Sequence, residues 1–282
     1  MRRILAAMLG LMLITGLVPV GAEEEELEFS IDDLVDLEEI PVYGDAGWTF
    51  PVDLMDMEPD MIRLANKHYL LGKDYGPEPI MSMVSRKAAK DGSNANGGVN
   101  KASGSKMQLQ ETCGLAMVEM FEAALQDGIT LYLKSAYRSY QTQNTMYYNR
   151  LEKNNGKDDG WVSKPGASDH QTGLGADIVS RSWRDKAMNA KFAETDEAKW
   201  LYDNAARFGF ILRYPSDKEE ETEINFEPWH YRYVGIPAAQ YIMDNKICLE
   251  EFHEQLQAAI DRFLEDGGNP DLVEPYIQHR SD

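Results

Sequence analysis

Between residues 110 and 126 apolar side chains recur every four positions, at Cys113, Met117, Phe121 and Leu125, with Val118 and Ala124 beside the stripe and Gly128 just past its end. That spacing predicts an amphipathic helix closed by a glycine. Alternation with period two follows at Ile129, Leu131 and Leu133, and reads as a strand. Ser139 is placed to N-cap a helix running to about Lys153, ended by Asn154-Asn155-Gly156. Further along, a short strand is expected over 176–179. Thr195 is expected to cap a helix carrying Trp200, Leu201, Ala205 and Phe208, and strands are expected over 210–214 and 229–234. A last helix carries the stripe Leu249, Phe252, Leu256, Ile260 and Phe263. Helices and short strands mix without a βαβ rhythm or an internal repeat. The pattern predicts an α+β fold with an antiparallel sheet.

The pattern changes at both ends. Arg2 and Arg3 precede an uncharged apolar run over 4–18, and Val20-Gly21-Ala22 supplies the small residues found before a signal-peptidase cut. Residues 1–22 therefore read as a signal peptide, with cleavage after Ala22 favoured over a retained anchor because the run is short and Pro19 interrupts its end. No second segment long enough to span a bilayer follows, so an extracytoplasmic protein without stable membrane insertion is expected. Residues 23–60 read as an acidic spacer opening with Glu23-Glu24-Glu25-Glu26. The folded domain is expected over 61–265, and 266–282 as a poorly ordered tail. Residues 91–106, with Gly92, Gly97, Gly98 and Gly104, read as a mobile loop.

Charge narrows the partners. The formal net charge of −20 argues against nucleic acid or an anionic membrane surface, since both repel such a chain. An exported chain permits disulfides, and Cys113 and Cys248 could pair or could be two small buried side chains. Neither belongs to a CxxC pair, which argues against thiolate zinc sites. A monomer is expected.

Candidate chemistry concentrates in two short segments. Two of the five histidines fall in them: His170, seven residues before Asp177 with Gly173 and Gly175 between, and His230, three residues after Glu227. Two neutral imidazoles and one carboxylate make a ligand set that leaves a fourth zinc position open. Glu227 is then left over to act as a base. On an ideal strand Glu227 and His230 would face opposite sides, so Pro228 is expected to mark a bulge or the first strand residue. Other signals fail. His253-Glu254-Gln255-Leu256-Gln257 has Gln257 where an HExxH helix needs its second ligand, so His253 reads as a packing residue. Gly173-Leu174-Gly175 lacks the third glycine of a dinucleotide site, and no GxSxG nucleophile elbow occurs.

Ser168-x-His170-x-x-Gly173 with Asp177, Glu227-Pro228-Trp229-His230-Tyr231-Arg232-Tyr233-Val234-Gly235, and Ser135-Ala136-Tyr137-Arg138-Ser139-Tyr140-x-x-Gln143 together resemble the VanY-type D-alanyl-D-alanine carboxypeptidases. The likeness spans about 62–263, with Gly175 where that family usually has alanine. It implies a small antiparallel sheet flanked by helices with a Zn2+ site at the sheet. His170, Asp177 and His230 would be the ligands, Glu227 the catalytic base, and Arg138, Gln143 and Ser168 the substrate contacts. It further implies a zinc-dependent D,D-carboxypeptidase acting on peptidoglycan stem peptides. An L,D-carboxypeptidase on tetrapeptide stems is the alternative within enzymes. A zinc-containing wall-binding module without catalysis is the other, and an intact Glu227 speaks against it.

Overall fold

The computed structural model describes residues 47–281; the expected signal segment and residues 23–46 of the expected spacer lie outside the described residues. In chain order the helices are α1 (Pro59–Ile62), α2 (Glu111–Gln126), α3 (Tyr140–Lys153), α4 (Asp169–Thr172), α5 (Asp196–Asn204), α6 (Glu219–Thr222), α7 (Ile236–Asn245), α8 (Leu249–Glu265) and α9 (Pro270–Val273). The strands are β1 (Ile80–Ser82), β2 (Gln108–Gln110), β3 (Leu131–Ser135), β4 (Gly175–Ser180), β5 (Phe210–Leu212) and β6 (His230–Tyr233). β1 and β2 form a two-stranded ribbon, and the main sheet is antiparallel with order β3-β4-β6-β5. This is the expected α+β arrangement.

Alternation along the main sheet sorts its residues by face. Leu131, Leu133, Ala176, Ile178, Phe210, Leu212, Tyr231 and Tyr233 join one buried cluster with Cys113, Met117, Met120 and Phe121 of α2. Their neighbours in the strands, Gly175, Asp177, His230 and Arg232, are offset by one residue, and pairing sets Asp177 opposite His230 and Gly175 opposite Arg232. The polar set therefore shares the other face. Ile211 of β5 belongs there too, and packs into a second cluster with α7 and α8.

The periodic helices stand where expected. Ser139 Oγ accepts from the Thr142 amide to cap α3, and Thr195 Oγ1 accepts from the Ala198 amide to cap α5. Helix α7 is not expected from the pattern, because its buried face is Ala238, Ala239 and Ile242, too small for a visible stripe, behind Pro237 in its first turn.

The folded unit also extends past both expected boundaries. Phe50, Val52, Leu54 and Met57, inside the expected spacer, are buried in the α7–α8 cluster. Within the expected tail, Val273 is wholly buried, Tyr276 donates its hydroxyl to the Leu54 and Met57 carbonyls, and the Gln278 side chain accepts from the Leu64 amide. Apolar surface on both termini is what closes the second cluster. The expected mobile loop is likewise anchored: Val99 is wholly buried and residues 100–102 pair with Leu133 beside β3. Cys113 and Cys248 are both free and buried, which settles the alternatives left open by their spacing.

Candidate active site

Asp177 and His230 meet because the β4–β6 register makes them direct cross-strand neighbours on one face. His230 Nδ1 lies 3.1 Å from Asp177 Oδ1. His170 arrives from the single turn of α4, which ends at Gly173 in the left-handed conformation (φ 72°) so that the chain can double back into β4. Gly175 is needed at the next step, since a Cβ there would fall 2.8 Å from the Asp169 Cβ and 2.9 Å from its carbonyl carbon. The residues after β3 wrap this turn: the Arg138 amide donates to the His170 carbonyl at 3.0 Å. His170 Nδ1 in turn lies 2.8 Å from the Ala136 carbonyl, an acceptor only, so Nδ1 carries the proton. That bond turns Nε2 inward, 3.5 Å from Asp177 Oδ2.

One ligand atom each from His170, Asp177 and His230 falls within 4.8 Å of the others, and all three side chains are buried. Burial, with Arg138 nearby, pushes the His170 imidazole below its usual range, so its neutral form is favoured. Burial opposes ionisation of Asp177, but the two imidazoles outweigh it and hold the carboxyl well below the usual range. Neutral imidazole and ionised carboxylate are the forms that bind metal, and the donor set fits zinc.

Glu227 precedes β6 in a turn closed by the His230 amide on the Glu227 carbonyl at 3.0 Å. This differs from the expected bulge or first-strand proline. The turn reverses the chain, so residues three apart face one point, and Glu227 Oε2 stands 3.6 Å from His230 Nδ1. Burial first, and then the charge of Asp177, push the Glu227 carboxyl well above its usual range, against the pull of Arg138. A carboxyl that holds its proton more tightly than usual, buried beside the metal-ligand candidates, is suited to relay a proton.

All seven residues singled out from the sequence, Arg138, Gln143, Ser168, His170, Asp177, Glu227 and His230, line one pocket of about 110 Å³. Arg138 is oriented inside it: Nη1 donates to Gln143 Oε1 at 2.8 Å and Nη2 to Ser135 Oγ at 3.3 Å. Gln143 is fixed by donating to the Ser163 carbonyl at 2.6 Å. Its amide is thus engaged at both ends by protein groups, which makes it a support for Arg138. Ser168 is buried and makes no side-chain cap bond to α4. Trp161, stacked on Trp229 with centroids 6.4 Å apart, forms part of the same wall.

Sequence reasoning missed a second layer. Asp169, Arg213 and Arg232 have no exposed surface and bind one another beneath the pocket. Burial disfavours the charged form of Asp169, but Arg213 and Arg232 overcome it and hold the carboxyl at about 2. The signal was present: an arginine inside each of the apolar runs Phe210-Ile211-Leu212-Arg213-Tyr214 and Tyr231-Arg232-Tyr233-Val234 needs a buried partner.

Comparison with known proteins agrees with this geometry. The VanY family model, described as D-alanyl-D-alanine carboxypeptidase, matches residues 106–236. A D-alanyl-D-alanine carboxypeptidase of Enterococcus faecalis is 38% identical over 144 residues, covering 48% of this chain and 51% of that one. The chain spans about half the length of the curated relatives it matches. Among solved structures, the LdcB LD-carboxypeptidase is 37% identical with a TM-score of 0.61, over 70% of this chain and 87% of that one. A mutant of the vancomycin-resistance D,D-pentapeptidase VanY in complex with Zn(II) is 29% identical with a TM-score of 0.51, over 68% and 98%. Ligand cluster, fold and matched sequence agree, and the chain belongs to the VanY family of D-alanyl-D-alanine carboxypeptidases.

Proposed function

We propose that the protein is a zinc-dependent D,D-carboxypeptidase that removes the terminal D-alanine of peptidoglycan stem peptides outside the cytoplasmic membrane. The observation that carries this reading is the convergence of two imidazoles and a carboxylate within 4.8 Å, with Glu227 3.6 Å from His230 Nδ1. His170 through Nε2, Asp177, and His230 through Nδ1 would hold the zinc, as the Zn(II) complex of the related VanY supports. Bound there, zinc supplies Lewis acidity toward a water and the scissile carbonyl.

The chain's own residues do the rest. Glu227 takes the proton of the attacking water and passes it to the leaving amine, a role worth roughly 10²–10⁴-fold. Arg138 offers a planar fork of donors to the substrate's terminal carboxylate, with Gln143 and Ser135 holding the fork in plane. A reader of a free carboxylate beside the hydrolytic centre makes an exopeptidase. Ser168 presents a further polar contact on the pocket wall. The working unit is a monomer in which residues 1–22 direct export and 23–46 act as spacer. Among the described residues no helix is long and apolar enough to cross a membrane.

A second reading has a specific observation behind it. The likeness to the LdcB LD-carboxypeptidase, 37% identity over 87% of that chain, favours removal of the last residue from tetrapeptide stems. Mass spectrometry after incubation with defined pentapeptide and tetrapeptide muropeptides separates the two. Loss of one alanine from the pentapeptide alone is the expected result. Shortening of the tetrapeptide alone would replace this reading with the L,D one, and two unchanged substrates would contradict both.

A further inference from the structure

A buried charge cluster with no part in the proposed hydrolysis lies behind His230. Asp169 is gripped from several sides. Arg213 Nε donates to its Oδ2 at 2.7 Å, Arg232 Nη1 donates to its Oδ1, and the Tyr214 hydroxyl lies 3.4 Å from Oδ2. Arg213 is held in turn by both oxygens of Glu250, each at 2.7 Å. Arg232 Nη2 donates to the Met61 and Arg63 carbonyls. One carboxylate thus ties α4 to β6, to the end of β5, to α8 and to residues 61–63. His230 completes the arrangement. Its Nε2 is buried without a hydrogen-bond partner and lies 4.0 Å from Asp169 Oδ2, while Nδ1 faces Asp177 and Glu227.

We propose that Asp169 is a positioning residue for the metal ligand His230: its Oδ2 accepts the Nε2–H of the imidazole, so that Nδ1 keeps its lone pair for the metal. This rests on the reading of His170, Asp177 and His230 as the metal site. A neutral imidazole has one proton for two nitrogens, and the partner of one nitrogen decides what the other can do. For His170 that partner is the Ala136 carbonyl. Asp169 is its counterpart for His230, in keeping with the general habit of ligating histidines to give their second N–H to a carboxylate or carbonyl. The 4.0 Å gap is longer than a hydrogen bond, so the proposal requires the His230 ring to tilt toward Oδ2 when the site is loaded. Arg213 and Arg232 keep the carboxylate from following the ring, and Glu250 keeps Arg213 in place. A purely structural role is a weaker account. Well-packed apolar side chains often stabilise a core as well as buried ion pairs do, and this cluster lies against the one orphaned nitrogen of the site.

The test reads the ring before any residue is changed. In the zinc-loaded wild-type protein, ¹⁵N-histidine NMR should show His230 coordinated through Nδ1, with an Nε2 proton that is shifted downfield and slow to exchange. His170 should show the reverse pattern, coordinated through Nε2. The variant Asp169→Asn, checked for fold by near-UV circular dichroism, should raise the zinc dissociation constant about 10- to 100-fold in competition with a chromophoric chelator. Glu250→Gln should raise it less. Coordination of His230 through Nε2, or an Nε2 proton exchanging like that of an exposed imidazole, overturns the proposal. So does a folded Asp169→Asn of unchanged affinity, and if that variant does not fold, the wild-type spectrum alone decides. A wild-type protein that takes up no zinc overturns the metal-site reading itself, an outcome distinct from zinc uptake with the wrong tautomer.

Discussion

Arg138 meets its proposed ligand with two of its nitrogens already engaged by Gln143 and Ser135, so the plane of its guanidinium is set before substrate arrives. Pre-orientation of this kind makes the geometry of the group matter as much as its charge. Arg138→Lys keeps the charge and loses the fork. We expect kcat/KM against free-acid peptides to fall about 10- to 100-fold, the worth of about one hydrogen bond to a charged group. Against the same peptides amidated at the carboxyl end the relative loss should be much smaller, because the wild type has no carboxylate to read. Equal losses on both substrates would mean that Arg138 serves the oxyanion instead. Gln143→Ala should show a weaker version of the same pattern, since the structure makes it a support for Arg138.

At the level of elements, helix α8 shows how burial sets both packing and pH response. Its stripe Leu249, Phe252, Leu256, Ile260 and Phe263 is buried, and His253 beside it is 4% exposed, edge-on to Tyr69 with centroids 4.8 Å apart. Burial lowers the His253 imidazole from 6.5 to about 4, against the opposing charge of Glu250. The unfolded chain therefore takes up a proton near pH 6.5 that the native state refuses until about pH 4. The stability that His253 contributes by remaining neutral is fully present above that window and is lost as pH falls through it, up to about 3 kcal/mol. Urea midpoints measured across this window should decline more steeply for the wild type than for His253→Leu; parallel declines would contradict the assignment. The same helix was legible in the sequence because its large apolar residues repeat at helical spacing, as were α2, and α3 with its Ser139 cap. Helix α7 was not, since alanines form most of its buried face, and neither was the packing of Val99, whose partners lie far along the chain.

Across the whole molecule, the main sheet is what gathers a site from residues spread between 135 and 230. Strand β3 leads into the Arg138 segment, β4 carries Asp177, β6 carries His230, and α4 hands in His170. The seven pocket residues could be read from local motifs because each motif keeps its chemistry within a few neighbours in sequence. The Asp169–Arg213–Arg232–Glu250 cluster could not, because its members come from four separate elements or their ends and only folding shows which carboxylate meets which arginine. Domain limits escaped for a related reason: the terminal segments near Phe50 and Val273 are polar on average, but their few apolar residues fill the α7–α8 cluster. Zinc binding by His170, Asp177 and His230 and proton transfer by Glu227, the two halves of the proposed function, are separated in one comparison. Turnover of a stem pentapeptide is measured for wild type and for Glu227→Ala, each with its bound zinc quantified in the same sample. Stoichiometric zinc is expected in both, with a loss of turnover of roughly 10²–10⁴-fold in the variant; a zinc-replete Glu227→Ala with wild-type turnover would mean that another group moves the protons.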